Sequence, residues 1–194
     1  MLQVTLDVET KKIFDDVGGF FPERLGVSFV GVNVRRQAGE EGEMQSYFEA
    51  DLPKLFPLLE KADVVIGYNI DGFDMPTLAP YYTGDISKIP TLDVMDRIKK
   101  SCGHRIKLDV VAKETLGEGK IGDGLDAVKY YNSRQFEKLE KYCIQDVKVT
   151  RDVYDYGLKH GQIKFRNKWN RLIVCEVDFS FSPEKNNGVQ MALI

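Results

Sequence analysis

Two carboxylates near the N-terminus have the spacing of a cation site. Asp7 and Glu9 alternate with the apolar residues Leu6 and Val8, a period of two that predicts a β-strand with both acidic side chains on one face. Carboxylates held side by side repel each other unless a cation lies between them, and Mg²⁺ or Mn²⁺ suits such oxygen ligands. The short pattern fits the solvated face of an edge strand equally well, so further carboxylates must decide between the two interpretations.

A second group of polar residues follows a continuous apolar run. The run at 64–68 predicts a strand buried on both faces, and Asn69 and Asp74 come after it. The carboxyl edge of a sheet is the usual position of sites in α/β proteins. Pro76 fits the first turn of a following helix, which places Asp74 near the helix N-terminus. Asp74 is therefore either a site residue or an N-cap.

A tyrosine and an aspartate form the third group. Tyr142 and Asp146 are four residues apart in a long segment with helical periodicity, so they lie one turn apart on one helix face. This face is next to the apolar stripe that contains Cys143 and Val147, and we expect it to be turned toward the sheet edge. The alternative is a polar flank beside a packed tyrosine.

The rest of the sequence predicts the elements that position these residues. Three strands, predicted to be antiparallel, are followed by a helix, the buried strand and further helices. A mixed β-sheet with helices on both sides is the packing that this order favours. The predicted strands lie at about 3–10, 25–34, 45–48 and 64–68; a short strand runs into a helix within 91–100, and further helices lie at about 51–61 and 108–116.

The longest helix is predicted over about 134–160, with Asn132 or Ser133 as its cap and Gly161 just past its end. A C-terminal β-hairpin is predicted after it, at about 161–183. We interpret the hairpin as an appendage of a single domain spanning 1–194, whose motif-bearing core covers about 1–160. The predicted buried stripe of the long helix consists of Phe136, Leu139, Cys143, Val147, Thr150 and Tyr154.

Bulk composition excludes some classes of protein. The chain has 194 residues, 43% of them hydrophobic and 29% charged, as in an ordinary soluble globular domain. No run approaches the about 18 apolar residues of a membrane span, and no secretory signal is visible. Cys102, Cys143 and Cys175 are widely spaced, which argues against a disulfide framework or a zinc cluster and favours a reducing compartment such as the cytoplasm. The net charge of −3 neither requires nor excludes a nucleic-acid partner.

Taken together, the three groups resemble the motifs of the DEDD (DnaQ-like) superfamily of 3′–5′ exonucleases, which have a ribonuclease H-like fold. The resemblance covers about residues 1–160 and is greatest to the proofreading exonuclease domain of family B DNA polymerases and its stand-alone relatives. A tyrosine four residues before the last aspartate is typical of the DEDDy branch, whereas the histidine branch would carry histidine at Lys141. The matching motifs are Asp7-x-Glu9, Asn69-x-x-x-Phe73-Asp74 and Tyr142-x-x-x-Asp146.

The resemblance implies a cofactor and a set of catalytic residues. Two Mg²⁺ or Mn²⁺ ions per site, about 3.5–4 Å apart, would activate water, stabilise phosphoryl charge and assist the leaving 3′ oxygen. Tyr142 would orient, or help deprotonate, the attacking water. The orienting role is favoured, because a phenol with an unperturbed pKa of about 10 is a poor free base at neutral pH. The implied metal ligands are Asp7, Glu9, Asp74 and Asp146, with Asp7 as the bridge between the ions.

Several further residues are implied to contact or support the substrate. Thr10 and Asn69 resemble family positions that contact substrate, and Phe73 would either stack on a base or pack in the core. Asp93 would support the site from behind or cap a helix. From Lys159 to Arg171 basic residues alternate with aromatic ones and no acid intervenes, which suits a single nucleic-acid strand as well as a solvated hairpin.

The predicted function is therefore metal-dependent 3′–5′ exonuclease activity on single-stranded or frayed DNA, releasing 5′-mononucleotides. The alternatives are an exoribonuclease with the same site, or a non-catalytic nucleic-acid-binding module on the same fold. The expected partner is the 3′ end of a single strand, with DNA favoured over RNA and no membrane. A polymerase or a replication or repair protein is a further candidate partner, and the sequence does not predict an oligomeric state.

Overall fold

A five-stranded mixed sheet forms the centre of the computed structural model, which describes residues 1–117 and 124–182. The strands lie in the order β3-β2-β1-β4-β5. β1 pairs antiparallel with β2 and parallel with β4, so the predicted mixed sheet is confirmed. The strands are β1 (Gln3–Thr10), β2 (Val27–Arg35), β3 (Glu43–Phe48), β4 (Val64–Gly67) and β5 (Thr91–Asp93).

Helices cover both faces of this sheet. The helices are α1 (Leu52–Lys61), α2 (Asp74–Leu78), α3 (Val94–Cys102), α4 (Leu108–Leu116), α5 (Gly124–Asn132) and α6 (Phe136–His160). Val4, Leu6 and Val8 pack with the apolar residues of α1 and α2 in one core. Because side chains alternate along a strand, Asp7 and Glu9 point to the opposite face, where α6 packs on β1 and β2.

The start of the long helix differs from the prediction. α6 begins at Phe136, because Arg134 has a left-handed backbone (φ 55°) that ends the preceding helix, and Gln135 is at the N-cap position. Asn132 therefore closes the unpredicted helix α5 and does not cap α6. Phe136 was predicted to belong to the buried stripe but is 41% exposed, whereas the other five residues of the stripe are buried.

The predicted C-terminal hairpin is confirmed as β6 (Gln162–Arg166) and β7 (Leu172–Glu176). Ile163 and Phe165 are buried in a second core, formed with α3, α4 and α6. The prediction of a single domain over 1–194 includes residues outside the described ranges and stays a prediction. None of the described helices is long and apolar enough to cross a membrane.

The expectation that the cysteines form no disulfide is wrong for one pair. Cys102 and Cys175 are bonded, with their Cα atoms 6.3 Å apart. They are 73 residues apart in the sequence, and only the packing of β7 against α3 brings them together. The bond ties the hairpin to the body of the fold, while Cys143 is free and buried.

Candidate active site

The first two carboxylates lie at the carboxyl end of the central strand. Asp7 is half-buried and Glu9 is buried, and both project from the face of β1 on which α6 packs. Directly opposite Asp7 on β2 is Gly31. A Cβ at Gly31 would lie 3.1 Å from Cys143 Sγ and 3.1 Å from Val147 Cγ2. The absence of a side chain on Gly31 therefore lets α6 approach β1 closely, so that its side chains reach the two carboxylates.

Asp74 is joined to the first pair by a backbone hydrogen bond. It is the first residue of α2, and its Oδ1 accepts from the Val8 N–H at 2.9 Å. Burial raises the pKa of Asp74 well above the ordinary value for aspartate, and the negative charge of Asp7 raises it further. The structure thus places a buried third carboxylate next to Asp7. The alternative role of Asp74 as an N-cap is wrong, because Phe73 is at the N-cap position of α2.

Tyr142 and Asp146 reach the same place from α6. Both are buried, and both line one cavity together with Asp7 and Glu9. Burial raises the pKa of the Tyr142 phenol, and the negative charges of Asp146, Glu9 and Asp7 raise it further. Without cations in the site, the phenol is therefore neutral over the physiological pH range.

The cavity shared by these side chains has a volume of about 320 Å³, within the range of pockets that hold small ligands. Asp7, Glu9, Tyr142 and Asp146 are among its described lining residues, and Asp74 is not. Thr10 and Lys12 contribute further polar groups, and the Thr10 hydroxyl donates to the Lys12 carbonyl at 2.8 Å. The apolar lining residues, called the apolar side below, are Val8, Ile13, Phe14, Leu25, Phe73, Leu125 and Val128.

The three predicted substrate-contacting residues have different surroundings. Thr10 and Phe73 line the cavity, and Phe73 packs edge-on against Phe14 with the ring centres 6.0 Å apart. Asn69 has a left-handed backbone (φ 70°) and lines a neighbouring depression with Asp71 and Asp93. Asn69 is not one of the described residues that line the carboxylate cavity.

Asp93 holds the loop that carries Asn69 and Asp74. Its carboxylate accepts from the N–H groups of Asn69 at 3.0 Å and Asp71 at 3.3 Å, and from the Asp96 N–H at 3.1 Å. Asp93 therefore caps α3 and supports the site loop at the same time. The sequence offered these roles as alternatives because a cap is visible in the local pattern, whereas contacts across more than twenty residues are not.

Cys143 is a site neighbour that the sequence identified only as a core residue. Its Sγ lies 3.4 Å from both the carbonyl oxygen and Oδ2 of Asp7. Burial, followed by the negative charges of Asp7 and Glu9, raises the pKa of this thiol, so it is a neutral donor. Ligand atoms of Asp7, Glu9 and Cys143 all lie within 4.8 Å of one another, a spacing that one cation could span.

The donor set fits a divalent cation with a preference for oxygen. Asp7, Glu9, Asp74 and Asp146 come from three separate segments and meet at one sheet edge. Burying several like charges together is costly unless a cation compensates them. Carboxylate oxygens are the ligands that suit Mg²⁺ and Mn²⁺. The residues therefore fit the predicted cofactor, without distinguishing between these two ions.

Comparison with known proteins identifies the superfamily of the chain. The model of the RNase H superfamily matches residues 5–157, a range that contains all five predicted catalytic residues. No curated protein matches the chain.

Solved structures similar to this chain include two much longer proteins. A family B DNA polymerase from Pyrobaculum calidifontis has 17% identity and a TM-score of 0.61 over 81% of this chain and 24% of the polymerase chain. E. coli exonuclease I in complex with a 5cy-dT13 oligonucleotide has 12% identity and a TM-score of 0.49, over 81% of this chain and 40% of that one. The chain thus spans less than half of either protein, and the likeness to the polymerase concerns the fold.

Proposed function

The chain belongs to the RNase H superfamily, and from that membership and the convergence of its carboxylates we propose that it is a metal-dependent 3′–5′ exonuclease. Its proposed substrate is the 3′ end of single-stranded or frayed DNA, and its products are 5′-mononucleotides. The fold predicted from the sequence motifs is confirmed, and membership of this nuclease superfamily supports hydrolase activity. The observation that carries the finer proposal is the meeting of Asp7, Glu9, Tyr142 and Asp146 in one cavity, with Asp74 joined to it through Val8.

The four aspartate and glutamate side chains would hold two divalent cations, and Asp7 is the proposed bridging ligand. When bound, such cations activate a water molecule and stabilise charge on the phosphoryl and leaving oxygens. The protein keeps the ligands in place through short contacts. The Val8 N–H fixes Asp74 against β1, and the Cys143 thiol lies against the Asp7 carboxylate.

Tyr142 is proposed to orient the attacking water by hydrogen bonding. Its neutral phenol can donate or accept a hydrogen bond. Its raised pKa makes it unsuitable to abstract a proton as a phenolate. The tyrosine therefore contributes position, while the carboxylate site supplies the charge. The proposed assignment to the DEDDy branch rests on the position of Tyr142 four residues before Asp146.

The apolar side of the cavity is proposed to hold the base and sugar of the terminal nucleotide. Phe14 and Phe73 offer ring surfaces there, and Lys12 adds a cation to the lining. A base can stack on these rings only after it is unpaired, which favours single-stranded or frayed ends. Thr10 and Phe73 are the proposed contacts to this nucleotide, and Asn69 would contact the strand beside the cavity.

Cleavage of end-labelled oligonucleotides tests the proposal. Purified protein with Mg²⁺ or Mn²⁺ should shorten 5′-labelled single-stranded DNA one nucleotide at a time, and EDTA or Asp7→Asn should stop the reaction. A matched RNA strand in parallel separates the exoribonuclease alternative, which would show faster shortening of RNA. Intact DNA and RNA with either metal would refute the enzyme and leave the non-catalytic binding module. The proposed polymerase or repair partner and reducing compartment remain predictions.

A further inference from the structure

We propose that the C-terminal hairpin is a second binding surface for single-stranded nucleic acid, distinct from the carboxylate cavity. The name hairpin platform is used below for its outward face and turn. The class of ligand rests on the proposed function, whereas the location of the site rests on the geometry and charge of the hairpin itself. The hairpin platform consists of Lys164, Arg166, Lys168, Trp169, Arg171, Leu172 and Val174.

Strand register places basic and apolar side chains beside each other on the outward face. Lys164 lies opposite Val174, and Arg166 lies opposite Leu172. Ile163 and Phe165 of β6 are buried in the core. Because side chains alternate along a strand, Lys164 and Arg166 point outward, away from that core. Val174 is 53% exposed and Leu172 is 49% exposed. Two apolar residues thus remain in solvent next to two cations.

The turn of the hairpin presents the only tryptophan in the sequence. Trp169 is 69% exposed, and the Lys168 ammonium lies 4.5 Å from the centre of its ring. An exposed indole is a costly surface feature, and an aromatic ring with adjacent cations is the usual arrangement for stacking a base while neutralising its phosphate. The turn therefore carries the two contacts that a single strand requires.

The turn is held in one conformation by its own hydrogen bonds. Asn167 Oδ1 accepts from the N–H groups of Trp169 at 3.0 Å and Arg171 at 3.1 Å. Asn170 adopts the left-handed conformation (φ 57°) that such a turn needs, and Arg166 donates to its carbonyl at 3.0 Å. The exposure of Trp169 is thus a consequence of an ordered turn, and little conformational entropy would be lost when a base stacks on it.

The hairpin as a whole is anchored firmly to the rest of the fold. The Cys102–Cys175 disulfide joins β7 to α3. The backbone N–H of Lys164 donates to Thr115 Oγ1 on α4, and the Thr115 hydroxyl donates back to the Lys164 carbonyl, both at 2.9 Å. A strand bound to the hairpin platform would therefore be held at a fixed position relative to the catalytic carboxylates.

Charge favours nucleic acid over an apolar protein partner. The segment from Lys159 to Arg171 contains five lysines and arginines and no acid, in a chain whose net charge is −3. Arg166 is paired with Glu114 at 3.1 Å, whereas Lys164, Lys168 and Arg171 form no ion pair within the described residues. Three cations therefore remain available for phosphates around an exposed ring.

Fluorescence of Trp169 tests the proposal directly, because no other tryptophan contributes. Full-length protein in EDTA is titrated with an oligothymidylate of about 30 nucleotides, so that binding is measured without cleavage. Saturable quenching is expected. Trp169→Ala should weaken binding, measured by anisotropy of labelled DNA, by about 5- to 150-fold, the range for one stacked base. Trp169→Phe keeps a ring and should restore most of the affinity.

Charge reversal provides a matched second test. In Lys168→Glu/Arg171→Glu the slope of log Kd against log salt concentration should flatten by about 1.4, which is 0.7 for each lost phosphate contact. The control Lys54→Glu/Lys61→Glu makes the same change in net charge on α1, whose residues pack on the other face of the sheet, and it should keep the wild-type slope. Cooperative thermal unfolding of both variants would show that they are folded, with a lower Tm allowed in the control because Lys54 loses its ion pair with Asp51.

Three results would overturn the proposal. They are DNA binding without quenching, equal loss of affinity in the two double variants, and quenching by protein concentration alone, which would identify the hairpin platform as a contact between chains. Failure here is distinguishable from failure of the proposed function, because binding is measured in EDTA. Cleavage without quenching would remove only the platform, and quenching without cleavage would remove only the exonuclease.

Discussion

Removing the Asp93 carboxylate should both destabilise the fold and slow catalysis. In Asp93→Ala the N–H groups of Asn69, Asp71 and Asp96 lose their acceptor. Asp96 belongs to the first turn of α3, and the other two precede Asp74 in the site loop. One substitution thus removes a helix cap and releases the loop that positions a proposed metal ligand.

The expected loss of stability follows from these three contacts. Loss of an N-cap costs about 1 kcal/mol. A half-buried amide such as that of Asn69, left without an acceptor, costs about 1–1.5 kcal/mol, and the exposed Asp71 amide, which water can reach, costs about 0.5 kcal/mol. Burial raises the pKa of Asp93, which means that its charged form destabilises the fold. Removing the charge therefore offsets a part of this loss of stability. The net cost is about 2–3 kcal/mol, which lowers Tm by about 4–12 °C in a chain of this size.

The catalytic effect comes from misplacing Asp74. A displacement of about 1 Å at a reacting group can slow a reaction by about 100-fold, so kcat should fall by about 10- to 100-fold. Thermal unfolding and cleavage of 5′-labelled DNA measure the two effects. Asp93→Asn keeps an oxygen for Asn69 and Asp96, which share Oδ1, and should recover most of both losses.

Asp85→Ala is the matched control. Asp85 also caps a short helix, by accepting from the Ser87 N–H at 3.1 Å, but it is exposed. Its hydrogen bonds and ion pair within the described residues are with Ser87 and Lys88 and do not reach the site loop. Its removal should cost about 1 kcal/mol or less and leave kcat unchanged. If Asp93→Ala unfolds and cleaves like Asp85→Ala, the proposed support of the site loop is refuted. Lower Tm with a wild-type kcat would refute the positioning role alone.

Three other substitutions test separate parts of the site. Gly31→Ala should destabilise the fold by about 1–3 kcal/mol, measured by urea unfolding, because its Cβ would press on Cys143 and Val147. Tyr142→Phe should lower kcat about 10- to 100-fold with little change in KM, since it removes one orienting hydroxyl. Asp74→Asn should raise Tm at neutral pH in EDTA, because it keeps the acceptor for Val8 and removes a buried charge.

The sign of the Asp74 prediction follows from its raised pKa. The stabilisation from the protonated carboxyl is complete below the pKa of an unfolded aspartate, about 3.9, and is lost as the pH rises through the higher pKa of the folded chain. The Tm of the wild type should therefore fall relative to that of Asp74→Asn as the pH rises above about 4. Parallel curves of Tm against pH for the wild type and Asp74→Asn would contradict the raised pKa of Asp74. Unchanged stability in Gly31→Ala would contradict tight packing of α6 on β2. Undiminished kcat in Tyr142→Phe would contradict the role of the tyrosine in orienting water.

Local patterns in the sequence were sufficient to predict the main elements of the fold. Alternation around Asp7 identified the central strand, and helical spacing identified α6, because both signals repeat over several turns or residues. The predicted start of α6 was wrong because Arg134 has a left-handed backbone, and arginine is not a residue type that indicates this conformation. The separate helix α5 was not predicted.

Contacts between distant segments could not be predicted in the same way. The three motifs predicted that Asp7, Asp74 and Asp146 share a site, but not that Val8 would bind Asp74. The cysteine spacing alone argued against a disulfide. The Cys102–Cys175 pairing could not be predicted from it, because the pairing depends on where β7 packs. The apolar side of the cavity was also missed, since Phe14 and Leu25 belong to a connection between β1 and β2 that has little periodicity.

Binding of Mn²⁺ is the most direct test of the claim that the carboxylates form one cation site. Mn²⁺ is titrated into metal-free protein, and the free ion is followed by electron paramagnetic resonance, so that no cleavage is required. Wild-type protein should bind Mn²⁺ at least about 10-fold more tightly than Asp7→Asn or Asp146→Asn, the equivalent of about 1.4 kcal/mol, whereas Asp85→Asn should match the wild type. Equal affinity in all four proteins would contradict the assignment of these carboxylates to a metal site.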